Sequence, residues 1–265
     1  MTGQSIVLAA DIPFPPSVED FYLPSILPWG EHDNYWFTKI TALVWLSTAL
    51  IILFFLLSYR KPQLVPTKKQ WIAESVYGFV RNNIAIEMIG PAGVKFAPYL
   101  TTLFTFILLN NFWGIVPFIQ ISPNSHIAFP AFLAVISYVM FIYVGCKQQG
   151  AGHYFKNALF MPGIPKGLYI LITPIEFIST FLTRPVTLAV RLFANMFAGH
   201  LMLLVFTLGG VAMLEASNVF VKGLSVASFL MAIVMTFFEF MVIVLQAYVF
   251  TMLTAAYIQG ALEEH

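Results

Sequence analysis

The sequence predicts an all-α integral membrane protein. The expected architecture is one spanning helix, an interfacial amphipathic helix, a transmembrane hairpin, then a pair of long, steeply tilted membrane helices. Three observations predict it. The chain is 59% hydrophobic and only 9% charged, where soluble domains carry about 25% charged residues. Its apolar residues come in runs of the length that crosses a bilayer core of about 30 Å. Its charges fall mainly between those runs. Thirteen basic and twelve acidic side chains cannot cover the surface of a 265-residue soluble protein. A net charge of +1 offers no basic face for nucleic acid. The single cysteine, Cys146, excludes an intrachain disulfide and a multi-cysteine metal or iron–sulfur site. It reads as a small apolar residue at the end of a span.

Residues 1–37 hold Asp11, Glu19, Asp20, Glu31 and Asp33 but no Lys or Arg. The first basic residue is Lys39, so no positive segment precedes Ile6–Ala10 and a signal peptide is not expected. These residues read as an extracytoplasmic arm, and 38–265 as a single membrane domain. Ile40–Tyr59 is a charge-free run of twenty and is the first span. It stops at Arg60-Lys61-Pro62, a basic anchor followed by a helix breaker. The segment 63–95 comes next, and within it Trp71, Val76, Phe79, Val80 and Ile84 suggest the apolar side of an amphipathic helix at the interface.

Phe96 to Cys146 is 51 residues without a formal charge. As one helix it would measure roughly 75 Å, more than twice the core, so it must fold back. The polar, proline-containing stretch Gln120–His126 is the expected turn. Pro98–Ile119 and Ala128–Cys146 are then the arms of a hairpin. Asn110 and Asn111 are costly in lipid and should face protein. The segment Gly167–Leu214 is apolar yet contains Glu176, Arg184, Arg191, Asn195 and His200. A turn is expected at 209–223. Leu224–Leu262 comes after it, with the single charge Glu239 and with Gln246. It would run about 60 Å as a helix. Lacking proline, it is expected to be one long tilted helix.

Basic residues set orientation in a membrane. The segments 60–95 and 147–166 carry them, and 1–37 has none. The N-terminus and the turn at 120–126 are therefore expected outside, the basic segments and C-terminus in the cytoplasm.

Ionisable groups inside membrane helices are functional candidates by default. At 100° per residue, Glu176, Thr180, Thr183, Thr187 and Arg191 fall within about 80° of arc, with Asn195 one turn beyond. Hydroxyls alone also serve as helix–helix glue. That explanation fails for Arg191, which cannot shed its charge; a guanidinium there needs a carboxylate partner or a water-filled site. Arg184, beside Pro185, could snorkel or pair locally. His200 lies nine residues past Arg191, half a turn out of phase, and should face the neighbouring helix. That helix offers Glu239, with Gln246 seven residues on along the same face. His200 and Glu239 can both gain and lose a proton, which suggests a proton wire, although a lone interior histidine is more often only a satisfied core residue.

Arg191-Leu-Phe-Ala-Asn195-Met-Phe-Ala-Gly199-His200 resembles the core motif of subunit a of the F-type (FoF1) rotary ATP synthase. Glu239 to Tyr257, with Gln246 within it, resembles the last helix of that family, and Asn110-Asn111-Phe-Trp-Gly-Ile-Val-Pro117 a motif in its earlier hairpin. The familiar bacterial pattern has an acid where His200 stands and a His where Glu239 stands; here the pair is exchanged, as in mitochondrial members. Ala194 replaces a usual Gly.

The resemblance implies a non-catalytic, proton-translocating stator subunit that offers two offset half-channels to a c-subunit ring. Arg191 would be the essential rotor-facing charge that separates them. Asn195, His200, Glu239 and Gln246 would form the path from the outside, and Glu176 the path on the cytoplasmic side, with Thr180, Thr183 and Thr187 as a supporting stripe. The implied partners are the c-ring, the peripheral-stalk b subunits and the rest of the complex. The implied ion is a proton, the implied place a bacterial plasma (inner) membrane, and no cofactor or metal is implied. A free-standing ion-coupled secondary transporter is the alternative, but such folds show internal repeats and paired helix breaks, which this sequence lacks. An electron-transfer subunit would need facing haem-ligand histidines, and only His200 lies deep in a span.

Overall fold

The computed structural model describes residues 38–60, 62–116, 119–159, 169–216 and 218–262. The acidic arm at 1–37 lies outside them. Among the described residues there is no strand, and five helices are long and apolar enough to cross a membrane. The chain is an all-α integral membrane protein.

Helix α1 is Lys39–Ser58, started by Thr38, whose hydroxyl accepts from the Thr41 amide. A side-chain acceptor there satisfies one of the orphan donors of the first turn. Helix α2, Lys68–Val80, is capped the same way by Thr67. It runs into a π-helical turn, Arg81–Ile86, and a short α3, Glu87–Ile89. Gly90, at φ 82°, ends this segment, a conformation glycine adopts without steric cost. The expected apolar face here is divided. Val80 and Ile84 are fully buried against the bundle, whereas Trp71 is 61% exposed. Phe79 is half-exposed and meets the rings of Phe104 and Tyr248. The buried side of α2 is instead Gln70, Ala73 and Val80. The five residues span too wide an arc to share one contact, and the π turn rotates the residues after it.

The hairpin arms are α4, Ala97–Phe112, extended by a 3₁₀ turn at Trp113–Ile115, and α5, Ala128–Gln149. The first arm is shorter than expected, because Val116 is already extended. The Trp113 indole donates to Ser47 Oγ at 2.7 Å, tying α4 to α1. The turn at 120–126 is not a solvated loop. Ser122, Asn124 and Ser125 are buried, and Pro123–Ser125 forms a 3₁₀ turn that packs on the later long helix. Asn110 and Asn111 are fully buried, as their cost in lipid requires. Asn124 Nδ2 donates to Asn111 Oδ1 at 2.7 Å, and Ser122 Oγ donates to the Asn110 carbonyl at 3.2 Å.

Gly150, at φ 83°, ends α5. Helix α6, Ala151–Leu159, folds back so that the Tyr154 ring lies against Gly145. Then come α7, Tyr169–Phe177, a π turn, Ile178–Thr183, and α8, Arg184–Glu215. Pro185 cannot donate to the carbonyl four residues back, and a π turn precedes it in place of regular α-helix. The last helix, α9, is Val219–Leu262, 44 residues without a break. At 1.5 Å per residue it is about 66 Å long, twice the core thickness, so an embedded helix of this length must tilt steeply. The turn before it is far shorter than the expected 209–223, since α8 continues to Glu215. Gly209 and Gly210 lie buried inside α8 rather than in a turn. A Cβ on Gly210 would lie 3.0 Å from the Phe229 ring, so its absence is what lets α8 and α9 meet so closely. Ser228 Oγ bonds the Phe206 carbonyl across this seam at 2.7 Å. The core gathers Ile84, Ile107, Leu192, Met196, Ile243 and Phe250 from α4, α8, α9 and the first π turn.

Candidate functional site

Helix α8 has two chemically different faces. Leu188, Leu192, Met196 and His200 recur every four residues and are buried against α9 and α5. On the opposite face Thr183, Thr187, Arg191 and Asn195 are exposed, among apolar neighbours such as Val186 and Val190 that are also exposed. The half-turn separation of Arg191 and His200 therefore places one outside and one inside. The hydroxyls of this face bond their own helix: Thr187 Oγ1 to the Thr183 carbonyl at 2.7 Å, Thr183 Oγ1 to the Ile178 carbonyl at 3.1 Å. Among the described residues they join no second helix. The π turn also interrupts the stripe. Thr180 is buried while Thr183 and Thr187 are exposed, and Glu176 is half-exposed on α7. Fifteen residues separate Glu176 from Arg191, roughly 22 Å of helix rise, so Glu176 is no ion-pair partner for it. Arg184 finds a local partner on α9, its guanidinium 5.2 Å from the centre of the Tyr257 ring.

Glu239 is 3% exposed at the middle of α9. Two glycines make room for it. A Cβ on Gly199 of α8 would lie 3.7 Å from Glu239 Cγ, and a Cβ on Gly114 of the hairpin would lie 3.3 Å from Glu239 Oε1. The carboxyl group thus sits where α8, α9 and the 3₁₀ turn after α4 converge. Its Oε2 has no hydrogen-bond partner among the described residues. A buried carboxyl oxygen without a donor among the described residues is costly. His200 follows Gly199 directly and is 5% exposed.

Gln246, also 3% exposed, lies two turns further along the same face of α9. Its Oε1 accepts from Asn195 Nδ2 at 2.8 Å. This bond crosses from the interior to the exposed side of α8, one turn from Arg191. At the other end, a cavity of about 310 Å³ is lined by Gly114, Gln120, Thr207 and Thr236 together with apolar residues. Thr236 precedes Glu239 by one helical turn. The sequence pattern groups Asn195, His200, Glu239 and Gln246; here Asn195 bonds Gln246, and Glu239 packs at Gly199, the residue before buried His200. Pattern alone gave no reason to add Gly114, Gly199 or Gln120. Gly199 and Gly114 stand inside the two motifs that carry the family resemblance and Gln120 opens the expected turn, but none of these signals names Glu239 or the cavity as a partner.

Among the described residues no cluster of three or more potential metal ligands is present. These features define an integral membrane protein that carries ionisable groups on and between its apolar helices. A family model described as "ATP synthase A chain" matches residues 41–259. ATP synthase subunit a of Parafrankia sp. is 45% identical over 270 residues, covering 100% of this chain and 90% of that protein. The protein of the same name from Frankia alni is 47% identical over 249 residues, covering 93% and 85%. That from Streptomyces lividans is 45% identical over 242 residues, covering 89% and 84%. The chain belongs to the ATP synthase subunit a family.

Proposed function

We propose that this chain is the static, proton-conducting subunit of the membrane sector of an ATP synthase, working against a rotating ring of carboxylate-bearing c subunits. The observation that carries this reading is the placement of Arg191. A charge that cannot be discharged stands exposed on an apolar helix face, far from Glu176 and turned away from buried Glu239. Such a group needs an anion from outside the chain. A carboxylate on a passing neighbour supplies one. At about 4 Å and an effective dielectric near 20, the attraction is about 4 kcal/mol before desolvation. That suffices to draw the proton off the ring carboxyl there, yet lets the ring move on. The same fixed charge repels protons that would leak between two half-channels.

The outer half-channel in this reading begins at the cavity beside Gln120, Thr207 and Thr236 and reaches Glu239, with His200 beside it at Gly199. Glu239 and Gln246 are seven residues apart, roughly 10 Å of rise. That exceeds one hydrogen bond, so water carries the proton across this gap. Gln246 and Asn195 then lead to the rotor face at Arg191. Glu176, with Thr180, Thr183 and Thr187 nearby, belongs to the opposite, cytoplasmic half-channel. The acid-rich N-terminus is outside and the C-terminus cytoplasmic, in a bacterial plasma membrane, because the basic segments 60–95 and 147–166 stay inside. Peripheral-stalk b subunits and the soluble ATPase complete the assembly. The chain itself makes and breaks no covalent bond of substrate.

Replacement of Arg191 tests this. Arg191→Ala should abolish proton-driven ATP synthesis in membrane vesicles while the complex still assembles. Normal synthesis by the assembled variant would overturn the reading.

A further inference from the structure

Lys39 is the first basic residue of the chain and opens α1. Its side chain is half-buried, and its Nζ donates to the Ile119 carbonyl at 3.3 Å, 80 residues further along the chain. That carbonyl belongs to the turn after α4, where the Val116 carbonyl accepts from the amides of Ile119 and Gln120 at 3.2 and 3.1 Å. Gln120 stands there at φ 45°, the one non-glycine residue with a positive φ among the described residues. Such a backbone is costly for a residue with a Cβ and persists where its surroundings hold it. The Lys39 bond is one such hold. Together with the Trp113–Ser47 bond, two turns further along α1, it fixes this end of the hairpin to the first span.

Gln120 also lines the cavity that leads to Glu239 by way of Gly114. The other polar side chains in that lining are Thr207 and Thr236. Their hydroxyl protons go to carbonyls of their own helices, Leu203 at 2.8 Å and Ala232 at 2.9 Å. Towards water in the cavity these hydroxyls can accept but not donate, whereas a carboxamide does both. Ile115, Phe229 and Ile233 are apolar wall. Water in such a space is ordered by the few polar groups it can bond, and Gln120 is the most versatile of them.

We infer that Gln120 orients the water entering the outer half-channel, and that Lys39 is its positioning residue, holding the turn in the left-handed backbone that keeps the carboxamide in the cavity wall. The inference rests on the proposed reading of this cavity as the outer entrance. Lys39 acts here through a hydrogen bond rather than through its charge, and the two roles differ in sign. A positive charge near the mouth repels protons, so removal of a purely electrostatic Lys39 would ease their entry. Removal of a positioning Lys39 hinders it.

The test uses the intact complex in vesicles, with proton-driven ATP synthesis followed against the proton concentration on the extracytoplasmic side. Lys39→Met and Gln120→Leu should each raise the concentration needed for half-maximal rate about fivefold, the weight of one hydrogen bond, with the maximal rate kept. Lys39→Arg retains a donor and should stay near native. The double variant Lys39→Met, Gln120→Leu should be no worse than either single one. Lys39→Met with Gln120→Asn should recover most of the loss, because asparagine takes up a positive φ readily and keeps a carboxamide. An unchanged or lowered proton requirement in Lys39→Met would overturn the inference. So would additive single effects, or a fall in maximal rate alone, which marks a merely structural role. An inactive Arg191→Ala beside native kinetics in Lys39→Met would remove this inference and leave the reading of the subunit standing; an active Arg191→Ala would remove both. Should Lys39→Met fail to accumulate, Gln120→Leu decides, and native kinetics in that variant would overturn the inference.

Discussion

Asn195 Nδ2 donates to Gln246 Oε1 at 2.8 Å, and this bond links the exposed face of α8 to the buried face of α9. Asn195 is a helical turn from Arg191, and Gln246 is two turns from Glu239. The pair is therefore the polar crossing between the interior carboxyl and the face that carries the permanent charge. A neutral hydrogen bond contributes about 1 kcal/mol, so the two residues should behave as a unit. We expect Asn195→Leu and Gln246→Leu each to slow proton-driven ATP synthesis. A double-mutant cycle should show coupling of about 1 kcal/mol, close to fivefold in rate. Strictly additive effects in vesicle assays would show that the bond plays no part in transfer.

Gly114 bears on Glu239 from a different element. A Cβ there would lie 3.3 Å from Glu239 Oε1 and 3.5 Å from Ser122 Cβ. Alanine fits if the carboxyl gives by a few tenths of an ångström, so Gly114→Ala should keep most activity. Gly114→Val adds methyls where the carboxyl stands and should lower synthesis at least about tenfold, at normal levels of assembled complex. The measurement is ATP synthesis per mole of complex, and equal rates for the two variants would dissociate Gly114 from the path.

The register of the long hairpin can be read with cysteines. In a Cys146→Ser background, Gly199→Cys combined with Glu239→Cys should form a disulfide under mild oxidant, because the Gly199 Cβ position is 3.7 Å from Glu239 Cγ. Arg191→Cys combined with Glu239→Cys should not crosslink, since Glu239 packs at Gly199 and Arg191 lies eight residues before it, roughly 12 Å of helix rise. A mobility shift on a non-reducing gel distinguishes the pairs.

Gly210 governs how closely α8 and α9 approach. The Phe229 ring lies 3.0 Å from its missing Cβ, and overpacking of this kind costs typically about 1–3 kcal/mol. Gly210→Val should lower the resistance of the purified protein to detergent denaturation by that amount. Adding Phe229→Leu should restore part of it. No loss in the single variant would mean that the seam yields without strain.

Much of this architecture was legible in the sequence, because a bilayer imposes strict rules on length and charge. A run of twenty apolar residues fixed α1 in place almost to the residue. The 51-residue uncharged stretch had to fold back, and it does. The half-turn between Arg191 and His200 separated an exposed from a buried face, as a rigid 100° step demands. Periodicity could not supply any departure from that step. The π turn at 178–183 moves Thr180 out of line with Thr183 and Thr187, and nothing in an ideal helical wheel anticipates the extra residue. Glycine was equally ambiguous. Gly209 and Gly210 read as a turn, yet both lie inside α8, and it is Gly210 that admits Phe229. Gln120–His126 read as an outer loop, yet Ser122 and Asn124 are buried beneath α8. By itself the sequence determined which segments enter the membrane and which charges go with them, since each rests on the cost of placing a group in lipid. Only the tertiary structure decided that Glu239 meets Gly114 and that Gln246 meets Asn195. Those contacts depend on how three helices cross, and a crossing is set by the small residues that let two backbones approach.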